Sequence, residues 1–157
     1  MSIEASKINS EQAGALEAPA PTQCSCAMLR RTARHVTQAY DKALSEVGLK
    51  TTQYMVLAHV DRTEALTITQ LAKRLGLDRT TLTRNLRPLV KAGWIEIAPA
   101  ADKRGRALYA TQSGHDLVTR AKPLWRTAEN TFRASLGKNE IAELRRLLDA
   151  ALITSNT

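Results

Sequence analysis

Residues 70–87 read QLAKRLGLDRTTLTRNLR, and this stretch decides the fold of the chain. Its first part has the pattern of a short amphipathic helix that ends at Gly76. Glycine is favoured just after a helix because it adopts left-handed backbone angles without a steric cost. Asp78 is a suitable N-cap for a second helix, since its carboxylate can accept hydrogen bonds from the free amides of the first turn. The stretch therefore predicts two helices joined by a tight turn.

The second predicted helix has an apolar side and a cationic side. Leu82, Leu86 and Leu89 recur at helical spacing, so we expect them to form the buried stripe. The opposite side is polar and basic, and its members are Thr80, Arg84, Arg87 and Lys91, flanked by Thr81 and Thr83. Pro88 lacks an amide donor and clashes with the preceding turn, which predicts a kink and a poorly formed last turn.

Two short strands are predicted after the second helix. Ile95 and Ile97 alternate with polar or small residues, and so do Leu108 and Ala110, as half-buried strands do. The connection between them, of roughly eight residues, is long for a hairpin and contains the basic segment ADKRGR at 101–106, which predicts a projecting flap. Helix, turn, helix and a two-stranded basic flap form the layout of a winged helix-turn-helix, which places its second helix in a DNA major groove.

The net charge of the 157-residue chain is +8, and most of it lies in this region. Nine basic residues stand against three acidic residues between Gln70 and Thr111. A basic surface that meets a polyanion gains free energy by counterion release and associates quickly. The concentration of charge favours double-stranded DNA as the partner over a charge that only keeps the protein soluble.

The rest of the sequence predicts a mainly α protein around the small β-wing. Residues 1–21 are polar and rich in Ala, Pro and Glu, so we expect a disordered tail. Apolar stripes at helical spacing predict a helix over 23–47, another over 51–61, and two more after Thr111. Pro123 interrupts the first of these last two, where we expect a kink.

The terminal helices carry more apolar surface than one small winged module can cover. A lone chain would expose that surface, so we expect partner helices from a second subunit to bury it. The sequence therefore predicts a homodimer. Residues 22–48 and 112–157 would form the helical dimerisation region, and residues 49–111 would form the winged helix-turn-helix DNA-binding domain.

Several function classes are disfavoured by what the sequence lacks. No apolar run approaches the ~20 residues that a membrane span needs. The N-terminus has no basic-then-apolar signal pattern, so we expect a cytoplasmic protein without a membrane partner. There is no Gly-rich phosphate loop, no paired carboxylates with a metal cluster and no nucleophile with a clear base. We therefore expect a protein that is not an enzyme, with no catalytic residue, no cofactor and no metal.

Motifs in a fixed order mark a known family. They are Gly48-Leu49, Thr52-Gln53-Tyr54, LTITQLAKRLGLDRTTLTRNLRPLVKAGWIE at 66–96, Asp102-x-Arg104 and Thr111-x-x-Gly114. With these motifs the chain resembles the MarR (multiple-antibiotic-resistance regulator) family of bacterial transcription factors over about residues 24–152. The resemblance implies the winged fold, dimerisation through the terminal helices and promoter binding.

The resemblance also implies roles for single residues. The groove-facing positions would be Thr80, Thr81, Thr83 and Arg84. Arg104 would enter the minor groove from the tip of the flap, and Asp102 would help to hold the flap by an ion pair. Arginine suits guanine through paired hydrogen bonds, each good pair worth ~1–3 kcal/mol of discrimination. Phosphate contacts, which position a protein without specifying a sequence, are expected from Arg87, Lys91, Lys73, Arg74, Lys103 and Arg106.

Cys24 and Cys26 stand at the predicted start of the first helix. A reactive thiolate there would be oxidised to a sulfenic acid and would condense with a neighbouring thiol. The position resembles that of the reactive cysteine in the peroxide-sensing branch of the family, with Tyr40 as its hydrogen-bonded tyrosine. Arg30 and Thr51, however, stand where that branch carries further tyrosines. The alternatives are two small buried hydrophobes or, with few partners in reach, a Cys-x-Cys metal site.

The leading hypothesis is a sequence-specific homodimeric repressor on a pseudo-palindromic operator, released by a small-molecule ligand or by cysteine oxidation. A ligand pocket would lie between the dimer helices and the DNA-binding region, where Tyr54 and Trp125, together with Tyr40, are candidate lining residues; core packing is the other interpretation of all three. The alternative function is an architectural protein that coats DNA without an effector.

Overall fold

The computed structural model describes residues 24–63, 65–100 and 106–154, and these form a mostly helical chain with a small antiparallel sheet. The elements in chain order are α1 (Ser25–Leu44), α2 (Thr51–Asp61), β1 (Leu66–Thr67), α3 (Ile68–Leu75), α4 (Arg79–Lys91), β2 (Ile95–Pro99), β3 (Arg106–Ala110), α5 (Gln112–Leu136) and α6 (Lys138–Thr154). The predicted mainly α fold with a β-wing is confirmed. The expected tail, residues 1–21, lies outside the described residues.

The chain divides into two compact units, residues 1–35 and residues 36–157. The described part of the first unit begins at Cys24, is helical from Ser25, and has exposed side chains throughout. The second unit contains α2 to α6, the sheet and the buried core. Among the helices of the described residues, none is long and apolar enough to cross a membrane.

Local capping rules determine where α3 and α4 begin and end. At the start of α3, Thr67 Oγ1 accepts from the Gln70 amide, and the Gln70 side chain accepts from the Thr67 amide. Gly76 ends α3 with a φ of 61°, a left-handed conformation that glycine adopts without strain. Asp78 then caps α4 by accepting from the Thr81 amide at 2.8 Å. The predicted helix–turn–helix is therefore confirmed by its caps as well as by its pattern.

The predicted buried stripe of α4 is also confirmed. Leu82, Leu86 and Leu89 are buried in the main hydrophobic core. The expectation of a poorly formed last turn was wrong, because α4 continues through Pro88 to Lys91. The proline removes one amide donor, whereas its own carbonyl still accepts from the Ala92 amide at 3.0 Å. Helix α5 likewise continues without a break across its internal proline.

The sheet has three strands where the sequence predicted two. Its order is β1–β3–β2, and both pairings are antiparallel. Leu66 and Thr67 form the extra strand, opposite Leu108 and Ala107. Two residues are too few to show an alternating pattern, so only the tertiary pairing defines this strand.

The start of α5 packs closely against the turn between α4 and β2. Thr111 caps α5 by accepting from the Gly114 amide, and its hydroxyl donates to the carbonyl of Gly93 at 2.7 Å. A Cβ atom added to Gly114 would lie 2.2 Å from the carbonyl oxygen of Trp94. Only glycine fits this approach, which holds the wing strands against the helical core.

Helix α2 is connected at its two ends to two other helices. At its start, the Asp41 carboxylate of α1 accepts from the Thr51 amide at 2.7 Å. At its end, Asp61 pairs with the His115 ring of α5. The amide of Thr51, at the start of α2, is therefore satisfied by a side chain ten positions earlier in the chain.

Candidate nucleic-acid interface

One side of α4 forms a concave, exposed surface, which we call the α4 face. Its residues are Arg79, Thr80, Thr83, Arg84 and Arg87. They lie one, four, five and eight positions after the first, which is the spacing of a single helical face. This face is opposite the buried leucine stripe, so the core orients the helix and the polar side chains point away from it.

Three of the predicted groove-facing residues and one predicted phosphate contact lie on the α4 face, and the structure adds a fifth residue. Thr80, Thr83, Arg84 and Arg87 were predicted, whereas Arg79 was not. The signal was available, because Arg79 precedes Thr83 by four residues and Arg87 by eight. Arg79 is the first residue after the N-cap Asp78.

Thr81 is placed differently from the other two threonines. Its hydroxyl donates to Asp78 Oδ2 at 2.6 Å, and its side chain is half-buried outside the α4 face. This hydrogen bond, with the backbone hydrogen bond from the same residue, holds the pKa of Asp78 below its usual range. Thr81 therefore stabilises the charged cap at the start of α4, where the helix dipole also favours a negative charge.

The α4 face is cationic. Its three arginines are exposed, and within the described part of the chain no carboxylate forms an ion pair with any of them. Guanidinium groups present five donors in a planar fork that matches phosphate oxygens and the guanine edge. Lys91, at the end of the helix, is exposed as well.

The wing contributes one described cation. Arg106 is exposed and donates from Nη2 to the carbonyl of Ile97 at 2.9 Å. The Tyr109 hydroxyl donates to the carbonyl of Pro99 at 3.2 Å. The side chains of Arg106 and Tyr109 on β3 thus each donate a hydrogen bond to a backbone carbonyl of the neighbouring strand β2. The other predicted wing residues, Asp102, Lys103 and Arg104, lie outside the described residues.

The two cations of α3 are both exposed. Arg74 donates from Nη1 to the Thr63 hydroxyl at 3.1 Å, which orients its guanidinium towards the end of the α2 region. Lys73, its neighbour, is exposed on the last turn of the same helix. Their predicted role as phosphate contacts stays a prediction.

The candidate sensing residues fall into two groups. Cys24 and Cys26 are free thiols with exposed side chains, so the interpretation as buried hydrophobes does not describe them. Tyr40 is buried in the second unit, and its hydroxyl donates to Glu129 Oε2 at 2.6 Å. Burial and this carboxylate raise the pKa of Tyr40.

Tyr54 and Trp125 contact one another in the core. Their ring centroids lie 6.0 Å apart, with a tilt of 31° between the planes. Tyr54 is a buried member of the main cluster and Trp125 packs against it. Burial raises the pKa of Tyr54. These contacts support the core-packing interpretation of the pair.

Comparison with known proteins points to one group of regulators. The sequence profile of the MarR family matches residues 47–105. The multiple antibiotic resistance protein MarR of Escherichia coli (strain K12) is 30% identical over 130 residues, which cover 79% of this chain and 90% of that protein.

Solved structures agree with this sequence match. The transcriptional regulator MosR of M. tuberculosis in complex with DNA is 36% identical, with a TM-score of 0.69 over 82% of this chain and 98% of that one. A mutant MarR from E. coli, complexed with operator DNA, is 26% identical, with a TM-score of 0.73 over 81% of this chain and 92% of that one. The similarity covers a larger share of the chain than the winged part, residues 49–111, alone.

Proposed function

The chain belongs to the MarR family of DNA-binding transcriptional regulators, and on that premise we propose that it is a homodimeric repressor of a pseudo-palindromic operator. The α4 face carries this proposal: three exposed arginines and two threonines on one side of a helix whose other side is anchored in the core. Two of the similar structures, MosR and the MarR mutant, are complexes with DNA. The protein would act in the cytoplasm, where its DNA target lies.

The residues of the α4 face would make two kinds of DNA contact, to bases and to phosphates. Arg84, at the middle of the face, would read guanine through a bidentate contact. Arg79 and Arg87, at its two ends, would contact phosphates and position the helix. On the wing, Arg106 would add a phosphate contact beside its bond to β2. Arg104 would enter the minor groove, Asp102 would help to hold the flap by an ion pair, and Lys103 would contact a phosphate.

A second copy of the chain would complete the terminal helices. Large apolar side chains of α5 and α6 are exposed in the single chain, namely Leu136, Leu147, Leu148 and Ile153. Burying such a patch against the same patch of another copy forms a closed, two-fold dimer. The two α4 helices would then enter successive major grooves about 34 Å apart on one side of the duplex.

Matched variants of Arg84 test the reading role. The operator is first selected from random duplexes, and binding is then measured on the selected and on a scrambled duplex. Arg84→Ala should weaken binding to the selected duplex roughly ten- to a hundredfold more than binding to the scrambled one, since a bidentate contact is worth ~1–3 kcal/mol. Arg84→Lys keeps the charge but not the planar fork, so it should lose much of the same discrimination.

The controls separate the loss of a positive charge from the loss of base discrimination. Arg146→Ala removes one positive charge from α6, where that arginine pairs with Glu143, and should leave the discrimination unchanged. Equal losses for Arg84→Ala on both duplexes would remove the base-reading role. Diffuse protection of DNA in a footprint, instead of one protected palindrome, would replace the repressor with an architectural protein.

Release from the operator would follow from a change in the separation of the two α4 helices. The exposed thiols of Cys24 and Cys26 are accessible to an oxidant such as a hydroperoxide. Operator binding by wild type and Cys26→Ser is compared with and without hydrogen peroxide. Oxidant-sensitive wild type beside an insensitive variant would assign release to the thiol. Insensitivity of both would assign it to a small-molecule ligand, with Tyr54 and Trp125 as the first positions to vary.

A further inference from the structure

Thr83 presents a hydroxyl group whose single proton is already engaged. Its Oγ1 donates to the carbonyl oxygen of Arg79, one turn earlier on α4, at 2.7 Å. A threonine hydroxyl has one proton and two acceptor lone pairs. Thr83 is exposed on the α4 face. In this arrangement its hydroxyl can only accept a hydrogen bond from a ligand that approaches the face.

The two neighbouring threonines have different hydrogen-bonding capacity. The Thr81 hydroxyl donates to Asp78 and lies off the α4 face. Thr80 lies on the face, and within the described residues no group accepts from its hydroxyl. It therefore keeps its proton for a ligand. The three hydroxyls therefore differ. The Thr81 hydroxyl supports the helix cap, the Thr80 hydroxyl can donate to a ligand, and the Thr83 hydroxyl can accept from one.

An acceptor in the major groove discriminates between two classes of base. Adenine presents its N6 amino group and cytosine its N4 amino group as donors, whereas guanine and thymine present oxygen acceptors there. We propose that Thr83 selects an amino base, adenine or cytosine, over a keto base at the position it contacts on one strand. This inference rests on the proposed function, that the α4 face enters a major groove.

The opposite preference would require the hydroxyl to turn. To donate to guanine O6 or thymine O4, Thr83 would first give up its bond to the Arg79 carbonyl. The Arg79 carbonyl lies on the same helix as Thr83, so the protein keeps this hydrogen bond on binding DNA without ordering any further residues. The expected signature is a degenerate one, adenine and cytosine both accepted, and it differs from the single-base preference expected of a bidentate arginine.

Selection from a library of random 20-base-pair duplexes tests the inference, with wild type, Thr83→Val and Thr83→Ser compared on the same library. Valine keeps the branched shape without the hydroxyl, and serine keeps the hydroxyl. Wild type and Thr83→Ser should prefer amino over keto bases at one position of each half-site by about threefold to tenfold, the size of one net hydrogen bond. Thr83→Val should lose that preference alone.

Base analogues identify the atom that is contacted. At the selected position, purine replaces adenine, which deletes only the amino group. Wild type should bind the analogue about threefold to tenfold more weakly, and Thr83→Val should bind both duplexes equally. Thr83→Ala removes the same hydroxyl with a residue of higher helix propensity, so it replaces valine in both experiments if Thr83→Val does not fold.

The outcomes separate this inference from the proposed function. If wild type selects a motif that the hydroxyl-free variants retain in full, or if purine in place of adenine on either strand of the selected position leaves wild-type binding unchanged, the inference is overturned while DNA reading stands. If wild type selects no motif at all, the proposed function fails and the inference fails with it.

Discussion

The surroundings of α4 and the outer side of α6 differ in how one chain covers their apolar side chains. Leu82 and Leu89 of α4 are 0% exposed, whereas Leu147 and Ile153 of α6 are 50% and 73% exposed. The core around α4 is therefore complete within a single copy, and the orientation of the α4 face is built into the fold. The terminal helices are incomplete alone, which is the arrangement expected where two copies join.

Truncating one leucine from each region should sharpen this contrast most strongly. Leu82→Ala deletes fully buried methyl groups, so it should lower the free energy of unfolding by about 2–5 kcal/mol. Leu147→Ala removes the same groups from an exposed site and should change the unfolding of a diluted sample far less. Urea unfolding at low protein concentration measures both. Similar losses for the two variants would contradict the contrast.

A side chain at Gly114, where α5 approaches the Trp94 carbonyl, should have the next largest effect on stability. Gly114→Ala would place a Cβ atom 2.2 Å from the Trp94 carbonyl oxygen, so the helix or the turn must shift. Overpacking of this kind reduces stability by about 1–3 kcal/mol. Gln112→Ala, on the exposed side of the same turn, is the control in thermal unfolding. A Gly114→Ala variant as stable as the control would show that the wing and α5 are not packed as described.

A charge on the exposed apolar side of α6 should weaken association without unfolding the core. Leu147→Glu would bury an unpaired carboxylate between two copies, which is unfavourable. We expect the dimer dissociation constant to rise about tenfold or more, equivalent to about 1.4 kcal/mol. Sedimentation equilibrium measures it, with Asp149→Ala as a control on the same helix. An unchanged dissociation constant would remove this side of α6 from the interface.

The smallest effect is a pH dependence at the start of α4. The pKa of Asp78 is lowered in the folded chain by the Thr81 hydroxyl and amide. A lowered folded pKa stabilises the fold above the unfolded value, about 3.9, and this contribution disappears as the pH falls through the folded pKa. Wild type should therefore have a higher Tm than Asp78→Ala at pH 6, and the difference should narrow below about pH 4. A difference that is constant with pH would contradict the charged cap.

The elements that the sequence predicted correctly are those determined by local rules. The leucine stripe of α4, the glycine at the end of α3 and the Asp78 cap depend on residues within a few positions of one another. The residues of the α4 face share helical spacing as well, including Arg79, which stands four residues before Thr83.

Features that depend on distant partners could not be predicted in the same way. The strand β1 exists only because Leu66 and Thr67 meet β3, and α2 is capped by Asp41 from another helix. The roles of the three threonines depend on which acceptor each hydroxyl reaches, and the sequence does not show that Thr81 turns towards Asp78. Arg106 is basic in sequence, yet one of its donors is used by strand β2.

The stoichiometry of the protein–DNA complex tests the central claim most directly. Native mass spectrometry or sedimentation of the full chain with one selected operator duplex counts the copies bound. If the α4 face reads DNA and the exposed apolar side of α6 joins two copies, two chains should bind one duplex at saturation, and Leu147→Glu should bind more weakly. A saturated complex of one chain per duplex, with the same affinity for both proteins, would contradict it.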